Sequence, residues 1–200
     1  TIAVAPQSPN VNVQSSVVVP TSASDVVQVC VEGQDAGGNW SKESCALLAI
    51  YDPSAGFVTG GGWIDSPAKA YYADTLLAGK ANFGFVSKYQ KGANVPTGNT
   101  EFQFKEGNLN FSSTSFQWLV IQGTTMSQFK GVGTINGTGS YNFLVTAIDG
   151  DQFSGTKKPD SFRIKITNGS TVVYDNQLGA DETSASATTL GGGSIQIKSK

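Results

Sequence analysis

The chain contains no histidine. That removes Ser-His-Asp and Cys-His arrangements and most zinc sites, which need an imidazole as base or ligand. Charge is scarce as well: Asp, Glu, Lys and Arg make up 14% of 200 residues, against roughly 25% in ordinary soluble domains. Basic and acidic residues are interspersed, with a net charge of −2, so the electrostatic footprint of a nucleic-acid binder is missing. Apolar runs stop well short of the roughly 18 residues that a spanning helix requires, so no membrane insertion is expected. A pair of carboxylates would suffice to hydrolyse glycosides. Candidates exist at Glu101, Glu106, Asp149 and Asp151, yet no spacing sets two of them across a cleft. The chain therefore reads as non-enzymatic.

What is abundant points to β-structure. Glycine is high at 24 residues, and Thr, Ser, Asn and Val are frequent. This mixture suits sheets joined by tight turns and not helices, which favour Ala, Leu, Glu and Lys. Short alternating segments predict strands near Gly56–Asp65, Lys80–Tyr89, Thr100–Lys105, Asn108–Ser112, Phe116–Gln122, Ser127–Asn136, Ser140–Asp149, Ser161–Thr167, Thr171–Asn176 and Gly193–Lys198. Asn136-Gly137 and Asn168-Gly169 sit between apolar runs and signal hairpins, because type I′ turns need positive φ at both central residues. A short helix is expected at Ala68–Leu77. Phe83, Phe85, Phe102, Phe104, Phe111, Trp118, Phe143 and Phe162 should form much of the core. Gly60-Gly61-Gly62 reads as a bulge or close-packing feature, since no Lys-Ser/Thr follows it as in a phosphate loop. Even strand spacing with turn residues between predicts an antiparallel, jelly-roll-like β-sandwich over residues 56–200.

The segment before it reads differently. Residues 26–50, VVQVCVEGQDAGGNWSKESCALLAI, are a strand, a Gly/Asn/Asp-rich loop and a second strand, with a cysteine in each strand. The pair Cys30 and Cys45 reads as a disulfide, which places the protein in an oxidising, extracellular or cell-surface setting. The hairpin looks like the last one of an Ig-like sandwich, a fold of about 100 residues and seven strands. Residues 26–55 are thus a partial Ig-like unit, with an apolar face and a sheet edge to cover. Residues 1–25 are valine-rich and interrupted by Pro6, Pro9 and Pro20, which suits short strands or sheet edges. The start at Thr1 without Met reads as a processed or trimmed chain.

From Gly56 onward the motifs GFVTGGGWIDSP, GKANFGFVSKYQKGANVPTGNTEFQFKEGNLNF, FQWLVI, TAIDGD, DSFRIKI and VVYDNQ resemble a carboxy-terminal module of large secreted bacterial proteins, placed after choice-of-anchor or Ig-like repeats. The likeness covers about 140 residues. It implies an extracellular or surface-associated protein without established enzymatic activity, and an Ig-like repeat ending in a D-x-x-G-N hairpin before the module. Asp35-Ala36-Gly37-Gly38-Asn39 fits that hairpin.

Three functional expectations follow. The first is head-to-tail self-assembly into a filament or other homo-oligomer, with Ile2, Val4, Val11, Val13 and Val17 of one subunit added as a strand to the open unit of its neighbour. The second is a monomeric module that binds polysaccharide, with Trp63, Tyr71, Tyr72 and Tyr89 as platform candidates. The third is a trimmed fragment of a longer repeat protein. No cofactor is required, but Asp149, Asp151 and Asp160 around one loop are candidate calcium ligands.

Overall fold

The structure, a computed structural model, describes Gln14, Ser16, residues 24–54 and residues 56–199. The strands are β1 (Asp25–Val31), β2 (Ser44–Ile50), β3 (Gly56–Ser66), β4 (Gly79–Tyr89), β5 (Pro96–Phe104), β6 (Leu109–Gln122), β7 (Met126–Ile135), β8 (Thr138–Ile148), β9 (Ser161–Asn168), β10 (Thr171–Asp175) and β11 (Gly192–Ser199). β1 and β2 form a two-stranded sheet, and the other nine form one antiparallel sheet in the order β10-β9-β8-β7-β6-β5-β4-β3-β11. Among the described residues there is no α-helix, and hence none long and apolar enough to cross a membrane.

The expected all-β antiparallel architecture is present, but the jelly-roll-like sandwich of two stacked sheets is not. The larger unit is a single meander curled into a half-barrel. Most links between consecutive strands from β3 to β10 are short, so each strand pairs with its neighbour in sequence. Asn136 and Gly137 adopt φ of 51° and 75°, the positive values that the β7–β8 turn requires. A curled sheet and a sandwich both bury one face of every strand, so the same alternation serves either.

The curl is visible in the core. Phe83 of β4 stacks on Phe162 of β9, with ring centroids 4.0 Å apart and planes 3° from parallel. Five strand steps separate them in the sheet, which would be ~24 Å if the sheet were flat. Around this stack lie Phe85, Phe102, Phe104, Phe111, Phe129, Phe143 and Tyr174, all buried. Each buried ring contributes about 1.5–3 kcal/mol through apolar area removed from water, and the close ring pairs add about 0.5–1.5 kcal/mol each. Trp118, expected in the core, is instead only half-buried. Gly60 makes room for the core: a Cβ there would lie 2.7 Å from the Phe85 ring.

Two further expectations are corrected. Residues 67–78 form turns instead of a helix: Lys69 has φ 72°, and the Asp74 carboxylate accepts the Leu76 amide at 3.0 Å. The local carboxylate and Pro67 favour a turn over a helical ladder. The two strands expected at 108–112 and 116–122 are one strand, β6, with register shifts at Ser113/Ser115 and Phe116/Trp118. The polar Ser112–Ser115 stretch between them lies at the first of these irregular pairings.

The edges of the curled sheet are stitched by side chains. Asp160 Oδ2 accepts the Ile195 amide at 2.7 Å, and Asp149 Oδ2 accepts the Ile197 amide at 2.9 Å. Asn176 extends the short strand β10: its Oδ1 accepts the Ile164 amide at 2.8 Å and its Nδ2 donates to the Phe162 carbonyl at 2.9 Å. Residues 188–190 then pair with the start of β9, where the Phe162 amide donates to the Thr188 carbonyl at 2.9 Å. The strap at 176–187 lies on the outer face, anchored by Arg163. Its guanidinium grips the Asp175 carboxylate through two bonds of 3.0 and 2.9 Å, and donates to the Asp181 and Ala180 carbonyls.

Candidate functional site: the hairpin and the cleft beneath it

The hairpin is tied at its loop end. Cys30 and Cys45 face each other in the β1–β2 register and form the expected disulfide. In the loop, the Asp35 carboxylate accepts the Gly37 and Asn39 amides, both at 2.9 Å, and the Asn39 side-chain amide at 3.0 Å. These bonds, led by that of the Asn39 side chain, hold the Asp35 carboxyl below its ordinary pKa. At the other end, Tyr51 stacks on Tyr89 with centroids 5.3 Å apart, and Gln122 donates to Asp25 at 2.7 Å. The Tyr89 hydroxyl donates to the Leu119 carbonyl and accepts the Leu119 amide, both at 3.0 Å. Burial raises its pKa well above the ordinary phenol value, and the Leu119 contact only partly opposes that shift.

The two faces of the hairpin differ. Val26 points toward the larger sheet and is 3% exposed, and both strands lie against β6. The opposite face carries Val27, Val29 and Val31 at 36%, 41% and 63% exposure, with Leu48 across from Val27 at 43%. This is an apolar face open to water on a sheet of only two strands, which is marginal by itself. Neither outer edge of the hairpin pairs with a described strand.

Toward β10 the hairpin and the larger sheet diverge and leave a cleft of about 480 Å3. Gln28, Cys45 and Leu47 form its roof, Lys130, Asn142, Lys165 and Thr167 its floor, and strap residues 180–182 one side. Lys165 is neutralised by Glu182 at 2.6 Å. Among the described residues no carboxylate pairs with Lys130.

The proposed calcium ligands are not gathered around one point. Asp160 accepts Gly150 and Ile195 amides through its two oxygens, Asp149 accepts the Ile197 amide, and Asp151 pairs on the surface with Lys157 at 3.0 Å. Among the described residues, Cys30, Glu43 and Cys45 are the group with potential ligand atoms within 4.8 Å of one another, and its sulfurs are joined in the disulfide. The aromatic candidates do not share a platform. Trp63 has the Lys80 amine 4.6 Å from its ring centroid and Gly191–Gly192 beneath it. Tyr71 packs edge-on against Phe104, and Tyr72 is exposed beside it. Tyr89 lies at the far end of β4 from Asn82, the partner of Trp63, ~23 Å along the strand. The strand-donor residues Ile2, Val4, Val11, Val13 and Val17 lie outside the described residues.

The sequence reading missed the cleft. Alternation around Phe129 marks Gln128 and Lys130 as outward-facing, but their cover comes from segments distant in the chain, which leave no local signal. No family model, no curated protein and no solved structure matches the chain.

Proposed function

We propose that the protein is a non-enzymatic extracellular structural or adhesive protein that assembles head-to-tail by β-strand complementation. The hairpin is the acceptor, and the valine-rich residues 2–17 of a neighbouring subunit are the donor. The observation that carries this reading is the exposed Val27, Val29, Val31 and Leu48 face on a disulfide-tied hairpin whose outer edges pair with no described strand. Exposed apolar patches and unpaired edges are where proteins recruit partners. The disulfide fits an oxidising compartment, as an extracellular location would provide.

Magnitudes favour an added strand over simple face-to-face contact. Finishing the burial of four half-exposed aliphatic side chains contributes about 4 kcal/mol. Association costs roughly 4–15 kcal/mol. The face alone therefore gives weak binding, whereas a strand brings backbone hydrogen bonds and its own valines. Donor and acceptor are different surfaces, so the contact propagates unless a ring closes it.

The test is light scattering with negative-stain electron microscopy of the oxidised chain. Filaments or long oligomers are expected, and both deletion of residues 1–23 and Val29→Lys should reduce them to monomer with the melting temperature kept. A wild-type monomer at high concentration, or assembly that survives the deletion, would overturn the reading.

A further inference from the structure

The cleft between the hairpin and the outer face of β7–β9 has a chemistry of its own, independent of the assembly reading. Its volume, about 480 Å3, falls within the roughly 300–1,000 Å3 of pockets that enclose small ligands. Lys130 and Lys165 are opposed by Asp181 and Glu182 along the lining. Asp181 is exposed on the strap side, so the positive charge set deepest in the cleft is on the floor. Lys165 is committed to Glu182, while half-buried Lys130 has no carboxylate partner among the described residues. An ammonium group held partly away from water favours an anion more strongly than one on the open surface.

The groups around Lys130 narrow the choice of anion. The side chains of Asn142 and Thr167, both half-buried, have no hydrogen-bond partner among the described residues, and Gln28 makes only a weak 3.4 Å contact with the Cys30 sulfur. Amides and a hydroxyl can each donate and accept, which matches a ligand carrying several hydroxyl groups beside its charge. Phe143, which also borders the cleft, is 1% exposed and packs its ring on Phe111, Phe116 and Phe129. Among the described residues the cleft thus offers no aromatic stacking surface of the kind neutral sugars use, and recognition has to come from charge and hydrogen bonds.

We infer that this cleft binds an acidic saccharide, with the Lys130 amine on a uronate carboxylate and Asn142, Thr167 and Gln28 on neighbouring hydroxyls. The test is calorimetric titration of the full chain with tetragalacturonate, with a neutral tetrasaccharide and a tetraglutamate peptide alongside. Tetragalacturonate alone should bind, more weakly as salt rises. Lys130→Met should lower the affinity about tenfold or more, the scale of a charged hydrogen bond. Lys130→Arg should retain most of it, and Asn142→Leu should cost a few-fold. Unchanged circular dichroism across the variants separates these losses from misfolding. No binding of the uronate, equal binding of the neutral sugar, or no effect of Lys130→Met would each overturn the assignment. Preferential binding of tetraglutamate would replace the saccharide with an acidic protein segment.

Discussion

Arg163 is 2% exposed, and its charge is matched by Asp175 at 3% on side-chain surface. Its other donors reach the Ala180 and Asp181 carbonyls, so the guanidinium fastens the strap as well as neutralising the carboxylate. Breaking such a pair from one side leaves an uncompensated buried charge, at a cost of about 3–5 kcal/mol. Arg163→Met should therefore lower the melting temperature by roughly 6–20 °C in a chain of this size. The double variant Arg163→Met with Asp175→Leu should lose less, because the stranded carboxylate is gone. A single variant melting within 2 °C of the parent would mean that the pair contributes little. In the sequence, Arg163 stands between Phe162 and Ile164 and reads as one outward residue of an alternating strand. Its burial follows from the strap, whose residues carry no periodic pattern of their own.

At the scale of elements, strands were far more legible than their arrangement. Alternation located β3, β4, β7, β8, β9, β10 and β11 to within a few residues, because each must bury every second side chain whichever sheet it joins. It was silent on whether the strands make one sheet or two. Asp149 and Asp160 illustrate the same limit at the site. Clustered acidic residues beside a glycine suggested a cation, whereas backbone amides of β11 take their oxygens. Sequence shows which residues offer lone pairs, but the donors come from a strand some 35 residues further on or more. This edge capping has a direct consequence. Asp160→Ala removes acceptors from the Gly150 and Ile195 amides, and charged hydrogen bonds of this kind contribute about 1.5–3 kcal/mol each. Amide hydrogen exchange should then accelerate at Ile195 and its β11 neighbours, while the β4 and β7 amides stay protected relative to global unfolding. Unchanged protection at Ile195 would show that β11 is held by its pairing with β3 alone.

On the scale of the whole molecule, the two sheets depend on one another unequally. The ring-on-ring contacts that define the core join residues from Phe83 to Tyr174 within the nine-stranded unit, and β11 closes that unit from its own carboxyl-terminal side. The hairpin contributes Val26, the Gln122–Asp25 bond and the Tyr51 stack on Tyr89. Two strands cannot build a core of their own, so the hairpin needs the larger sheet as a support, whereas the larger sheet loses only a small apolar contact without it. Starting the chain at Pro53 should accordingly leave a folded protein whose near-ultraviolet circular dichroism is preserved and whose melting temperature falls by only a few degrees. The opposite fragment, residues 1–52 with the disulfide intact, should show no cooperative melting. The same truncation bears on both functional readings, since it removes the donor segment, the assembly face and the roof of the cleft while keeping Lys130 and Asn142 on the floor. Loss of uronate binding in a chain that still melts cooperatively would place that activity at the hairpin, and loss of self-association would place assembly within residues 1–52, donor segment and hairpin together. A truncated chain that fails to fold would instead make the hairpin an integral second layer of the fold, and its valine face would then have to be tested by surface substitution alone.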